Sequence, residues 1–269
     1  MFNLKRRGAM VASIVAVLGV AVPASAGAST ITLSGSTSVA PLAAKLASKY
    51  VKGHKVKFKL LQGGSDVGIS DVSHGRVTLG MSSRDPKPGD PGGLVFNKVA
   101  RDAICVVTNK SNNVQTLNQN QIQAIFGGDV RDWSDVPGSN RSDTIDVYVR
   151  TAASGTQDAF QKLFMGAKQI FSGAKQKSSN GLVQNAVKSN PGSGIGYVSL
   201  PFAKGTNVIA YNGVPCTLRN AKSGQYTGVR NFFMVSRGAP TGAAKKWIKW
   251  IQTNKDARKI INSEWVPID

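Results

Sequence analysis

Three times in this chain a strand-like run ends in glycine and small hydroxyl residues and passes directly into a helix. The stretches are GSTSVAPL at 35–42, QGGSDVGI at 62–69 and RTAASGTQDAF at 150–160. Recurrent strand–turn–helix passages commit a chain to α/β layers with mostly parallel sheets, because parallel neighbours need a crossover, usually a helix. In open sheets of this kind ligands gather outside the carboxyl ends of the strands. The three junctions are therefore expected to face a common cleft.

The last junction is the most informative. Ile145, Val147 and Val149 alternate with polar residues, so a strand ends at Arg150. Ser154 is a good N-cap with Gln157 three residues on, and Phe160, Leu163 and Phe164 supply an apolar stripe, which predicts a helix over 154–165. The N–H groups of a first helical turn have no intrahelical partner and carry partial positive charge. Gly155 leaves that backbone open to close approach, Arg150 adds a planar fork of donors, and Ser154 and Thr156 add hydroxyls. These residues suit a tetrahedral oxyanion, and they also suit an ordinary capped helix. Thr37 and Ser38 in the first junction and Ser65 in the second favour the anion.

Lys5, Arg6 and Arg7, an apolar run from about Val11 to Val22, and Ala24-Ser25-Ala26 predict a secretory signal peptide over 1–26, cleaved near Ala26. No cysteine follows the apolar run, so no lipid anchor is expected. Removing the three basic residues lowers the formal charge from +20 to +17. Such an excess attracts anions or anionic surfaces and says nothing of fold. Export, few aromatics and no zinc or arginine-rich motif argue against nucleic acid. The two cysteines, Cys105 and Cys216, are expected to pair in an oxidising compartment, although Cys105 also reads as a core residue of an apolar run. Two thiols are too few for a metal site.

Elsewhere, KVKFKLL at 55–61 alternates as a half-buried strand, 94–110 is mostly strand, and Asn118 with Gln121 caps a helix closed by Gly127-Gly128. Trp133 reads as a packing plug. A helix at 181–189, a strand at 195–200, a strand-rich stretch at 207–236 and helices near 241–253 and 255–263 follow.

In order and spacing, these stretches resemble the extracytoplasmic phosphate-binding proteins that deliver inorganic phosphate to an ABC transporter. The likeness also takes in LGMSSR (79–84), QIQAIFGGDVRDWSDV (121–136), GIGYVSL (194–200) and EWVPI (264–268). It implies a type II periplasmic-binding-protein fold: two α/β domains, a ligand cleft and a two-strand hinge. The first domain would take 27–107 and 212–269, and the second 108–211. The resemblance places phosphate against Thr37, Ser38, Ser65, Arg84, Arg150, Ser154, Gly155 and Thr156. At Arg84 the sequence departs from well-studied members, which carry an aspartate that accepts a hydrogen bond from protonated phosphate. An arginine strengthens attraction for any anion and weakens discrimination against sulfate. Asp66 or Asp85 would be the alternative acceptor, or plain loop surface.

The implied partners are phosphate, or a similar oxyanion, and a membrane permease, for a monomer that is periplasmic or secreted and needs no cofactor. The alternative is a cationic secreted protein of the same fold that binds acidic polymer or a sulfate-like anion without transport. An enzyme is not expected. His54 and His74 are the only histidines, and neither lies in a catalytic or metal motif.

Overall fold

The structure, a computed structural model, describes Met1 and residues 28–268, so the expected signal peptide and cleavage site lie outside the described residues. The chain runs β1 (Ser29–Gly35), α1 (Ala40–Tyr50), β2 (Val56–Leu60), α2 (Ser65–Ser73), β3 (Leu79–Ser82) and a long β4 (Leu94–Thr108). It continues through β5 (Thr116–Leu117), α3 (Gln119–Gly127), β6 (Asp146–Arg150), α4 (Gly155–Phe160), β7 (Lys175–Lys177), α5 (Asn180–Ser189) and β8 (Gly194–Ser199). Then come β9 (Asn207–Val208), β10 (Ala210–Tyr211), α6 (Leu218–Ser223), β11 (Val229–Arg237), α7 (Gly242–Thr253) and α8 (Lys255–Glu264).

One sheet carries most of these strands, in the order β2-β1-β3-β11-β4-β8-β6-β7. β2, β1 and β3 are parallel, as are β8, β6 and β7, whereas β11 and β4 run antiparallel to their neighbours. The sheet is therefore mixed rather than mostly parallel. The reason lies in the hinge: a chain that leaves one lobe and later returns to it must cross in opposite directions.

β4 makes the first crossing. Residues 94–103 pair with β11, and residues 104–108 pair with β8. The apolar clusters divide in the same way. Leu33, Leu42, Leu79, Phe232, Trp247 and Trp265 belong to one core, and Ile104, Phe126, Trp133, Phe160, Tyr197 and Tyr226 to the other. Trp133 is a fully buried plug, its indole Nε1 donating to the Ser193 carbonyl at 3.0 Å.

The return crossing comes later than position 212. Cys216, Ala221 and Tyr226 all pack in the second core, and the chain reaches β11 only at Val229. Links that hold this segment to the second lobe include the Cys105–Cys216 disulfide, the Tyr226 hydroxyl donating to the Ile104 carbonyl at 2.6 Å, and Ile104 N–H donating to the Gly228 carbonyl at 2.8 Å. The segment is also not purely strand, since Thr217 caps α6 by accepting from Asn220 N–H. A six-residue helix rich in polar residues leaves little periodic signal to read.

Glycine lets the elements that carry the junctions pack closely. A Cβ on Gly68 of α2 would lie 2.4 Å from the Ser34 carbonyl of β1. Gly64, with φ of +102°, leads into α2 against Ala153 of the opposite lobe, where a Cβ would meet a carbonyl oxygen at 2.6 Å. Only glycine fits that approach.

Candidate functional site

Each junction predicted from sequence ends at the boundary between the two cores, and the hydroxyls meet there. Ser38, before α1, and Thr156, in the first turn of α4, place their oxygens 3.0 Å apart. Ser65, opening α2, lies 3.3 Å from Ser83 Oγ and accepts from Ser83 N–H at 3.0 Å. Ser36 donates to Ser83 at 2.9 Å. Gly155 packs so tightly that a Cβ there would lie 2.3 Å from Ser65 Oγ and 2.8 Å from Ser83 Oγ. Ser154 caps α4, accepting from the N–H groups of Thr156 and Gln157. The Gln157 side chain does not return the bond to Ser154 as the expected capping box would; its oxygen accepts from the Tyr197 hydroxyl.

Two guanidinium groups enter this cluster, and both are buried. Arg150, at the end of β6, donates to the carbonyls of Lys177 (3.1 Å) and Ser178 (2.8 Å) and approaches Thr156 Oγ1 at 3.4 Å. Its own N–H donates to the Tyr197 hydroxyl at 3.0 Å. Arg230, in β11, donates to Ser38 Oγ at 2.9 Å and to Ser83 Oγ at 3.3 Å. Its register partner across the sheet is Asp102 of β4, which takes two of its N–H groups at 2.9 and 3.2 Å.

The charge balance is uneven. Among the described residues Asp102 is the carboxylate paired with Arg230, and none pairs with Arg150. Burial, reinforced by repulsion from Arg230, pushes the Arg150 guanidinium down to about 10, which leaves it charged at neutral pH. Burial likewise lowers Arg230, with Asp102 opposing the shift, and raises Asp102, with Arg230 opposing. A buried cluster with two cations and one anion lacks a negative charge.

The hydroxyl hydrogens are directed as well. Ser38 Oγ already accepts from Arg230 and from Asn180 Nδ2 (2.8 Å), so its proton must be donated outward, toward Thr156 or a bound oxygen. Asn180, at the start of α5, also donates to Thr37 Oγ1 at 3.2 Å and is itself fixed by Ser199 N–H.

Thr37, Ser38, Ser65, Arg150, Ser154, Gly155 and Thr156 are therefore brought together, and Arg84 is not. The Arg84 guanidinium is buried, but its donors go to Asp66 (2.7 Å), Asp90 (2.6 and 2.9 Å) and the Asp85 carbonyl (3.0 Å). Burial opposes its charge, yet Asp90 and Asp66 outweigh burial and raise its pKa further. Its donors are thus committed to acids of its own lobe rather than to the hydroxyl cluster, although Arg84 lines a cavity together with Arg230 and Asp158. Sequence reading missed Arg230, Asn180 and Ser83. The signal for Arg230 was present, as a lone arginine in GVRNFFMV and a lone aspartate in RDAICVV, opposite charges inside two apolar strands. His54 stacks on Tyr50, and His74 bonds to the Ser70 carbonyl, both away from the cluster.

A family model described as a PBP superfamily domain matches residues 21–255. The chain belongs to the PBP superfamily. Among curated PBP relatives, the phosphate-binding protein PstS of Bacillus subtilis (strain 168) is 26% identical over 245 residues, covering 88% of this chain and 80% of the relative. A Clostridium perfringens protein described as a phosphate ABC transporter substrate-binding protein, solved with phosphate bound, matches with TM-score 0.83 and 28% identity. That match covers 89% of this chain and all of the other. An ABC-type phosphate transport receptor from Vibrio cholerae matches with TM-score 0.72 and 27% identity, covering 88% and 100% of the two chains. Each of these relatives is named for binding phosphate or for phosphate transport. No helix among the described residues is long and apolar enough to cross a membrane.

Proposed function

We propose that this chain is an extracytoplasmic solute-binding protein that captures inorganic phosphate between its lobes and delivers it to the membrane permease of an ABC transporter. The observation that carries this reading is the pairing of Arg150 and Arg230 in one buried cluster with a single carboxylate. A doubly charged oxyanion supplies the missing negative charge and accepts the directed hydrogens of Ser38 and Thr156 and the first-turn N–H groups of α4. The relatives named for phosphate point the same way.

Binding is hinge closure. The site draws Ser38, Ser65 and Arg230 from one lobe and Arg150, Thr156 and Asn180 from the other, so an anion held by all of them favours the closed state. A cluster this deeply buried takes one small ion and has no groove for a polymer strand. The reading assigns the protein no catalytic step and no cofactor, and the net positive charge steers anions toward it.

Calorimetric titration of the purified protein with phosphate and with sulfate, at low and high salt, tests the proposal. Saturable one-to-one phosphate binding that survives salt is expected, with Arg150→Ala weakening it at least about thirtyfold, as loss of a buried charge partner costs about 2–5 kcal/mol. Unchanged affinity in Arg150→Ala would refute the assignment.

A further inference from the structure

The displaced Arg84 stands at the root of a contact that joins the two lobes. We infer that Arg84 is a positioning residue that stiffens the 85–91 loop, so that Lys87 latches onto Asp158 across the cleft and prolongs the closed state. This rests on the reading of hinge closure over phosphate.

Arg84 follows β3 in the first lobe, and its side chain is a hub. The two Nη groups take both oxygens of Asp90, Nη1 also takes the Asp85 carbonyl, and Nε takes Asp66 at the start of α2. Asp90 in turn accepts from Lys87 N–H at 2.8 Å, and Asp90 N–H donates to the Lys87 carbonyl at 3.0 Å. A proline- and glycine-rich loop, DPKPGDPGG, is thereby tied at both ends of its turn to one buried cation. The loop holds Lys87 out toward the second lobe, where its ammonium pairs with Asp158 of α4.

Two further contacts run alongside. Asp85 of the first lobe faces Lys162, just beyond α4, at 3.7 Å, an ion pair of opposite sense to Lys87–Asp158. Asp66, the residue held by Arg84 Nε, donates its backbone N–H to the Ala153 carbonyl at 3.1 Å. Each of these bonds exists only while the lobes are together. The last two begin at a residue held by Arg84 or next to it. The Lys87 and Asp158 side chains are about two-fifths and one-quarter exposed, so the pair lies on the rim and not among the groups around Arg150. A rim pair of this exposure contributes modestly, and it does so to the closed state alone.

Stopped-flow measurement of phosphate release, together with a donor–acceptor dye pair placed one on each lobe, tests the inference. Lys87→Ala and Asp158→Asn are each expected to speed release about two- to fivefold with the association rate unchanged, and the double variant no more than either alone. Exchanging the charges, Lys87→Asp with Asp158→Lys, restores slow release. Arg84→Gln reproduces the faster release, and adding Lys87→Ala to it speeds release no further. Additive effects of Lys87→Ala and Asp158→Asn, or an affinity loss in Arg84→Gln that persists in full without Lys87, overturn it. If wild-type protein binds no phosphate, the functional reading fails. The latch is then judged from the dye pair alone, where Lys87→Ala must raise the open fraction and a null result refutes it. Because Lys87 and Asp158 are surface residues, the outcome stands even if Arg84→Gln does not fold.

Discussion

Ser38 Oγ and Thr156 Oγ1 lie 3.0 Å apart although the helices beside them are rooted in different cores. Ser38 is the more connected of the two, because it accepts from both Arg230 and Asn180 and has one hydrogen left to give. Ser38→Ala removes that donor and strands two buried ones. Phosphate affinity is expected to fall about 5- to 150-fold, the range for a buried group left unpaired at about 1–3 kcal/mol. Titration calorimetry measures it, and an unchanged circular dichroism spectrum separates lost binding from lost folding.

Asp102 is completely buried and its carboxylate faces Arg230 across the sheet. Asp102→Asn leaves a buried guanidinium without its counter-charge, at a cost of about 3–5 kcal/mol. Urea unfolding in phosphate-free buffer should show that loss as a lower midpoint with an unchanged slope. A midpoint within error of wild type would mean that the pair contributes nothing to holding β4 and β11 in register.

The three strand-to-helix junctions were legible because each is local: an alternating strand, a small polar turn and a capped helix fit within a dozen residues. Nothing local brings Arg230 to Ser38. That contact depends on β11 lying between β3 and β4, an order set by long-range pairing of strands far apart in sequence. Arg84 shows the opposite failure. A buried guanidinium goes to the strongest acceptors in reach, and for Arg84 those are the carboxylates of Asp66 and Asp90. The late return crossing was hidden for a third reason: Cys216 and Tyr226 are bound to β4 by contacts that no periodicity reports.

The Arg84–Asp90 pair makes stability depend on pH in a definite direction. Hydrogen bonds from Arg84, against the opposing effect of burial, hold the Asp90 carboxyl below its ordinary value of 3.8. A carboxylate depressed in the folded state contributes stability that is complete above the unfolded value and is lost as pH falls through the folded one. Asp90→Asn should therefore lower Tm by about 3–10 °C at pH 7, for charge-assisted hydrogen bonds worth about 1.5–3 kcal/mol. The difference from wild type should shrink below about pH 4. Scanning calorimetry from pH 3 to pH 7 checks it, and a difference independent of pH would assign the loss to packing instead.

Cys105 and Cys216 close a loop with a sequence separation of 111, and both lie in the second core. Cross-linking so long a span restricts the unfolded chain more than the folded one, by about 4.7 kcal/mol in the chain-entropy account for a loop of this length. Replacing both cysteines with alanine is expected to lower stability by about 2–5 kcal/mol, measured by urea unfolding. The segment between β10 and β11 contributes none of the residues gathered around Arg150, so phosphate affinity should stay within about twofold of wild type if additivity holds for distant sites. A large fall in affinity with little loss of stability would reverse that assignment. The bond would then be positioning the return crossing, and with it Arg230, rather than stabilising the second lobe.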